Sequence, residues 1–383
     1  MTVAAWPAAA RARAELPDDP LDLVPADAVV AVAMSGGVDS SVAAARCVAR
    51  GLRTVGITLA MWPRHAERDR DRGCCSVDAV EDARRVATTL DIPHYSWNLE
   101  PEFEAQVVSV FADEYAAGRT PNPCVRCNET IKFGTLLGRA LQAGATHLAT
   151  GHYARSGRRG ETVTLHRAAA AAKDQAYTLH RLDQRQLRAA VFPLGSLSSK
   201  GEVRRVAGEL GLVTAAKPDS QELCFVADTV AGDLERRLAG RFRPGALLDT
   251  DGNTVGEHRG VPFYTVGQRS GIGVAPTRPD TVPLYVIAVD AGSNTVTVGP
   301  RAALERTVVN LDDMHWIDVA APPGTGLTLQ LRSHAAPAPV TVATSQAGSV
   351  RLACDPPVTQ VAPGQAGVLY DDDEVVGGGL VAS

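Results

Sequence analysis

A short apolar run, AVVAVAM from Ala28 to Met34, gives way to Ser35-Gly36-Gly37-Val38-Asp39-Ser40-Ser41 and then to an Ala-rich stretch free of breakers as far as Arg50. An apolar run of this length entering a Gly-rich loop is the pattern of a strand buried on both faces. Gly51 supplies a left-handed stop for the helix that follows, and TVGITL from Thr54 to Leu59 reads as the next strand. Strand, helix and strand in this order make a βαβ unit, which commits the chain to a parallel sheet covered by helices. The glycines allow a tight turn with outward-facing backbone N–H groups, the hydroxyls of Ser35, Ser40 and Ser41 add donors, and the helix dipole offsets an anion's charge. Such a turn cradles phosphate. Asp39 would repel that phosphate unless it binds Mg²⁺, so magnesium is implied. A lone Gly-Gly would be better read as an ordinary strand-to-helix turn; here the whole heptapeptide stands in the right context, and no Gly-Lys-Ser/Thr follows to make it a Walker A loop.

The alternation continues. Ser76 can cap a helix with Val77, Val80, Ala87 and Leu90 on one face, Pro93 precedes the strand candidate HYSWNL, Ile131 to Ala143 reads as helix and Thr146 to Thr150 as strand. The fold class is therefore α/β, with a doubly wound, mostly parallel sheet over residues 28–227. Beyond Phe225 the texture turns Gly- and Pro-rich, with Arg243-Pro244-Gly245 and the turn Asp251-Gly252-Asn253, which predicts a small linking domain over 228–283. From Leu284 the runs LYVIAV, TVTV, LTLQL, VTVAT and VRLAC, parted by turn residues, predict a C-terminal β-barrel over 284–383. Residues 1–27 lack the apolar core of a secretory signal and read as a disordered lead-in. The acidic run Asp371 to Glu374 reads as a solvated hairpin turn without function.

No apolar run of the 383 residues approaches the length that spans a bilayer. Seven cysteines, an odd number over so long a chain, argue against a secreted disulfide framework and for a reducing compartment, the cytoplasm. The formal charge of -5 means that an RNA partner would need a local basic surface. The segment GRTPNPCVRCNETIKF, from Gly118 to Phe133, is polar with two prolines and predicts a shaped loop carrying Cys124 and Cys127; KPDSQELCFV, from Lys217 to Val226, carries Cys224. For Cys47, Cys74, Cys75 and Cys354 a buried structural role is favoured. Cys127 and Cys224 lie in polar segments with Arg126 and Lys217 nearby, which could favour thiolate. The CxxC pair alone is compatible with zinc or a redox pair, although zinc would want a second pair at similar spacing.

SGGVDSS resembles the pyrophosphate-binding loop of the PP-loop ATP pyrophosphatases, which leave AMP on their substrate. Together SGGVDSS, TPNPCVRCN with IKF, ATGHYAR, KDQAYTL, the LCF around Cys224 and YTVGQRSGIG occur in the order seen in bacterial tRNA-specific 2-thiouridylases, from about Ala28 to nearly the C-terminus. The resemblance implies an ATP site at Ala33, Met34, Ser35, Gly36, Gly37, Val38, Asp39 and Ser40, joined by Leu59 and Gly151. It implies a catalytic cysteine at Cys127, a persulfide-bearing one at Cys224, and tRNA contacts at Asn122, Pro123, Cys124, His152, Lys173, Asp174, Gln175, Arg332, Ser333 and Gln365. The expected reaction adenylates O2 of the wobble uridine and replaces it with sulfur from a persulfide, leaving a Cys127–Cys224 disulfide for a reductant to reset. Expected partners are tRNA and a sulfur-donor protein, and the expected state is a monomer away from membranes.

Two departures stand out. Many members carry Asp after Asn-Pro, often considered an acid/base, where this chain has Cys124, whose thiol ordinarily titrates far above a carboxylate. Related thiolation enzymes hold an iron–sulfur cluster on three cysteines, and Cys124, Cys127 and Cys224 are a candidate set. After Arg332 the chain has Ser333-His334, where an aromatic and a basic residue are usual. The rival readings are a small-molecule PP-loop ligase, which would not need the cysteines, and a zinc-stabilised RNA-binding module without catalysis.

Overall fold

A computed structural model describes residues 14–61, 77–218, 223–226, 228–273, 283–359 and 361–382. The predicted cap Ser76 and the pair Cys74 and Cys75 lie outside them. The first domain is built on five parallel strands in the order His94–Asn98, Arg53–Ala60, Val29–Ala33, His147–Ala149, Ala190–Val191. Val30 and Val32 are wholly buried at the centre of this sheet, as a strand sandwiched by helices must be. Helix Val38–Ala49 returns the chain, and Gly51, at φ +80°, closes it in the left-handed conformation expected.

Residues 14–27 correct the expectation of a disordered lead-in. Glu15 exchanges backbone hydrogen bonds with Arg158, and Asp19 caps a turn at Pro20–Leu23. Leu21 is 1% exposed, while Asp19 and Asp22 pair with Arg46 and Arg50. One buried leucine and two ion pairs to the first helix are enough to dock a segment whose composition alone looks unstructured.

The segment around Cys124 is likewise a helix where a loop was expected. Asn122 accepts hydrogen bonds from the amides of Cys124 and Val125, Pro123 takes the first helical position, and the helix runs on through a π-helical stretch at Cys127–Leu136 to Gln142. Proline forbids a helix interior but suits its first turn, where the missing N–H has no partner to lose.

The predicted boundary at Leu284 also moves. Strand Leu284–Asp290 pairs with Thr295–Pro300, which pairs with Gly245–Leu248, which in turn pairs with Thr254–His258, so all four belong to the middle sheet. The C-terminal barrel begins at Arg306–Trp316 and continues in space through Ser349–Val358, Ala338–Gln346, Gly326–Gln330, Ala366–Asp371 and Glu374–Val381, which closes back on Arg306–Trp316. Closure removes the open edges of a six-stranded antiparallel sheet. The first domain adds a hairpin, Ala154–Arg159 with Thr162–Arg167, whose second strand pairs with Glu374 and Val375. The turn at Asp371–Glu374 is accordingly more than solvated: Asp373 meets Arg155 and His166, and Glu374 meets Arg159. Among the described residues no helix is long and apolar enough to cross a membrane.

Candidate functional site

Strand Val29–Ala33 has Arg53–Ala60 on one side and His147–Ala149 on the other, so the strand order reverses there and a crevice opens at the carboxyl ends. Into that crevice projects Ser35–Ser41. Gly36 adopts φ +68°, and a Cβ on it would stand 2.1 Å from the Ala79 carbonyl oxygen, so only glycine fits. The Ser40 hydroxyl accepts from the Ser35 amide at 3.1 Å and donates to the Gly37 carbonyl at 3.0 Å, which fixes the turn. Ser41 donates to the same carbonyl and accepts from Thr214. Gly37 is the N-cap without any capping side chain, so nothing of its own covers the first-turn amides of a twelve-residue helix. Gly151, at the end of the neighbouring strand, lets its backbone pass so close that a Cβ there would lie 2.8 Å from the Ser40 nitrogen. Met34 and Leu59 are buried, and Leu59 and Ala33 pack in one apolar cluster, so these three form walls behind the turn.

Two lysines that sequence reasoning did not assign to the phosphate site complete this turn. Lys200 holds both oxygens of Asp39, at 2.7 and 2.6 Å, and Tyr153 donates to one of them at 2.7 Å. Lys217 donates to the Gly36 carbonyl at 3.0 Å and to Asp82 at 2.7 Å. Its ammonium therefore serves the turn, while Arg126 donates to the Gln106 carbonyl. Asp39 is about one-third exposed, with a side-chain accessibility of 34%, and a single carboxylate beside a phosphate turn suits magnesium, which binds through one or two carboxylates plus phosphate oxygens.

Cys127 is buried and Cys124 exposed, three residues apart near the start of their helix. Cys127 lies within the large apolar cluster of the first domain, and Cys224 packs against that same cluster. The neighbouring Phe225 anchors the Cys224 segment edge-on to Phe103 and Phe111. Cys47 and Cys354 are buried, and burial pushes both thiols up, Cys47 to about 12, which fits their structural reading. Among the described residues no three His, Cys, Asp or Glu side chains are gathered so as to hold a metal ion.

Asn122, Arg332 and Gln365 lie around Tyr177, which is fully buried. Its hydroxyl donates to the Ala366 carbonyl at 2.7 Å and reaches the Leu331 carbonyl at 3.5 Å, next to Gln365 and Arg332 respectively. Burial raises this phenol above its ordinary range against the opposing pull of the Asn122 side chain and the Arg332 charge, so both are neighbours. Thr120 bonds to the Pro363 carbonyl and to Thr265, and Arg332 reaches the Val266 carbonyl. The first domain, the middle domain and the barrel therefore meet beside Asn122 and Pro123. Arg332, Ser333 and His334 also border a barrel cavity of about 650 Å³.

Profiles described as tRNA methyl transferase HUP domain, tRNA methyl transferase PRC-barrel domain and Aminomethyltransferase beta-barrel domain match residues 28–228, 234–300 and 306–381. The tRNA-specific 2-thiouridylase MnmA of Heliobacterium modesticaldum is 46% identical, covering 92% of both chains. This chain belongs to the tRNA-specific 2-thiouridylase family. The Streptomyces avermitilis member is also 46% identical, over 92% of this chain and 94% of its own. Its class is that of the tRNA-uridine 2-sulfurtransferases. Among solved structures, a 4-thiouridine synthetase–RNA complex with bound ATP aligns at TM-score 0.35 and 18% identity, over 56% of this chain and 51% of that one, a likeness too low to carry an argument.

Within the 2-thiouridylase frame, some expected RNA contacts are occupied internally. His152 is buried between Thr150, at 2.7 Å, and Lys132, at 3.5 Å; burial first, then the lysine charge, holds its imidazole well below the ordinary range and therefore neutral. Asp174 accepts from the amides of Ala168 and Ala176 and pairs with Arg167, and Gln175 accepts from the Tyr153 amide. These residues shape the loop, while Lys173 is exposed.

Proposed function

We propose that this chain replaces O2 of the wobble uridine of tRNA with sulfur at the expense of ATP. The phosphate turn orients ATP with its α-phosphate toward the base, the uridine O2 attacks, and pyrophosphate leaves with the bonding electron pair, making O2 part of an AMP leaving group. The N3 proton is given up in forming this adenylate. Cys224, loaded as a persulfide by a sulfur-donor protein, supplies sulfur to C2 either directly from its terminal atom or as hydrosulfide. Attack of that sulfur on C2 expels AMP, attack of Cys127 on the inner sulfur breaks the persulfide S–S bond, and N3 regains its proton, so that 2-thiouridine and a Cys127–Cys224 disulfide remain. A cytoplasmic two-electron reductant restores the thiols. Asp39 is the side chain that would hold magnesium, whose chemistry is to neutralise phosphate charge. Asn122, Pro123, Cys124, Lys173, Arg332, Ser333 and Gln365 take the anticodon loop, with the target base flipped out of its stack. The protein acts as a monomer.

The observation that carries this reading is that the phosphate turn and the Asn122–Cys127 helix start belong to one domain, while Tyr177 ties the barrel loops bearing Arg332 and Gln365 beside that helix start. The profile descriptions speak of methyl transfer and the relatives of thiolation; two cysteines against one cluster suit the latter. The test is anaerobic purification with metal and sulfide analysis, then incubation with ATP, a persulfide donor and unmodified tRNA. AMP, pyrophosphate and 2-thiouridine should appear in equal amounts, and Cys127→Ala and Cys224→Ala should each abolish thiolation while still binding ATP. Thiolation that survives either substitution, or that tracks bound iron and sulfide, would refute the persulfide route.

A further inference from the structure

The phosphate turn contains an electrostatic contradiction. A site for a polyanion presents the carboxylate of Asp39 at the first turn of its helix, where it would repel phosphate. The structure resolves it with Lys200, the first residue of helix Lys200–Glu209, whose ammonium meets both Asp39 oxygens at 2.6 and 2.7 Å. Ser199 caps that helix by accepting from the Glu202 amide, and Thr214 fastens the same stretch of chain to Ser41. Lys200 is thus delivered by an anchored element, with its side chain only 15% exposed.

We propose that Lys200 is a ligand of the β- and γ-phosphates. It exchanges the Asp39 carboxylate for the incoming nucleotide, leaving Asp39 available to the nucleotide's magnesium ion, and then stabilises the negative charge that develops as pyrophosphate departs. The proposal rests on the ATP-dependent reading above and names a residue which that reading does not use. Three features support it. A lysine ammonium on a flexible four-carbon stem is the point charge that suits a phosphate, and it moves easily between neighbouring anions. Tyr153 also donates to Asp39, so the carboxylate keeps a partner when Lys200 turns away. Lys217 is already committed to the Gly36 carbonyl and Asp82 on another side of the turn, which leaves Lys200 as the cation facing Asp39 itself. Lys200 neither gains nor loses a proton in this role. In the adenylation the α-phosphorus to bridging-oxygen bond breaks, and the electron pair passes to the leaving group beside the ammonium.

The experiment is titration calorimetry with ATP, pyrophosphate and AMP, on wild type and on variants whose melting curves are recorded first. Lys200→Met should weaken Mg-ATP and Mg-pyrophosphate by about 10- to 100-fold and leave AMP within about threefold, because AMP lacks the groups that the lysine meets. Asp39→Asn removes the carboxylate that competes with phosphate for Lys200 and should tighten metal-free pyrophosphate about tenfold relative to wild type. The double variant Asp39→Asn/Lys200→Met, which removes both charges of the pair together, should lose that gain. If Lys200→Met weakens ATP and AMP alike, or if Asp39→Asn and the double variant bind pyrophosphate equally, Lys200 is only a counter-ion and the proposal fails. Wild type that binds no ATP, or binds it and never thiolates tRNA, would instead sink the functional reading, so the two failures are distinguishable.

Discussion

Gly151→Ala is the substitution for which the structure gives the most direct arithmetic. The added Cβ would stand 2.8 Å from the Ser40 nitrogen, 2.9 Å from the Asp39 carbonyl carbon and 3.0 Å from the Asp39 Cβ, where ordinary contact begins at 3.4 Å. Opening 2.8 to 3.4 Å requires the start of helix Val38–Ala49 to retreat by about 0.6 Å, and backbone rather than a flexible side-chain tip must yield. Overpacking of this kind costs about 1–3 kcal/mol. The element forced to move is the one whose amides face the nucleotide, so the cost falls on ATP binding and predicts a weakening of about 5- to 150-fold. Calorimetric titration with ATP reads it directly, beside tRNA affinity, which should hold. Gly138→Ala is the control: it lies in a helix with nothing within 4 Å of its added Cβ, so it should bind ATP as wild type does and melt no lower. Gly151→Ala that binds ATP normally, or that loses tRNA in place of ATP, would refute the close approach of Gly151 to the helix start as the reason for glycine.

Three further outcomes are expected. Tyr177→Phe deletes one buried hydrogen bond without changing shape; it should lower stability in urea by about 1–2 kcal/mol and raise KM for tRNA while ATP affinity stays put. Burial holds the His180 imidazole at about 3, against 6.5 for the free group. In that window the unfolded chain takes up a proton that the folded chain refuses, so this stability is complete above pH 6.5 and is lost as pH falls, by about 1.4 kcal/mol at pH 5.5. Urea melts should show the loss, and His180→Gln should flatten the slope by one proton; an unchanged slope would contradict the burial argument. Arg332→Ala should weaken tRNA binding about 2- to 10-fold and reduce its salt dependence by roughly one phosphate contact, whereas an effect on ATP would misplace that arginine.

What could be read from the chain was what local chemistry determines. A strand buried on both faces is a continuous apolar run, and a helix must stop at a residue that tolerates φ +80°, so the βαβ unit and its phosphate turn were legible around Val30 and Gly51. The helix at Cys124 and Cys127 was legible too and was misread: Asn122-Pro123 is a cap followed by a first-turn proline, and the prolines were weighed as breakers. LYVIAV gave no sign of its partner, because an alternating strand looks the same whether it pairs into the middle sheet or the barrel. Lys200 was beyond reach, since 161 residues separate it from Asp39 and a lysine opening a helix has no pattern of its own.

The hairpin that the first domain lends to the barrel changes how the site should be understood. Domains joined by linkers alone are expected to move relative to one another. Here Leu165 and His166 pair with the barrel strand through main-chain hydrogen bonds, while Arg155 and Arg159 reach Asp373 and Glu374 across the join. Arg167 bonds Gln330 from the first domain, and Gln330 in turn donates to the Arg332 and Ser333 carbonyls. The loop bearing Arg332 is therefore tied to strand Thr162–Arg167, in the same domain as the phosphate turn, by a chain of two side chains. Gly378 permits the closeness, because a Cβ there would stand 2.4 Å from the His180 ring. Swinging the barrel away from the first domain to admit an anticodon loop would therefore break these main-chain and side-chain ties. Replacing Arg167 with Met would cut the tie between the hairpin and Gln330. Because Gln330 holds the loop bearing Arg332, the substitution should weaken tRNA binding while ATP affinity stays unchanged; tRNA affinity equal to wild type would refute the tie as the means of holding that loop.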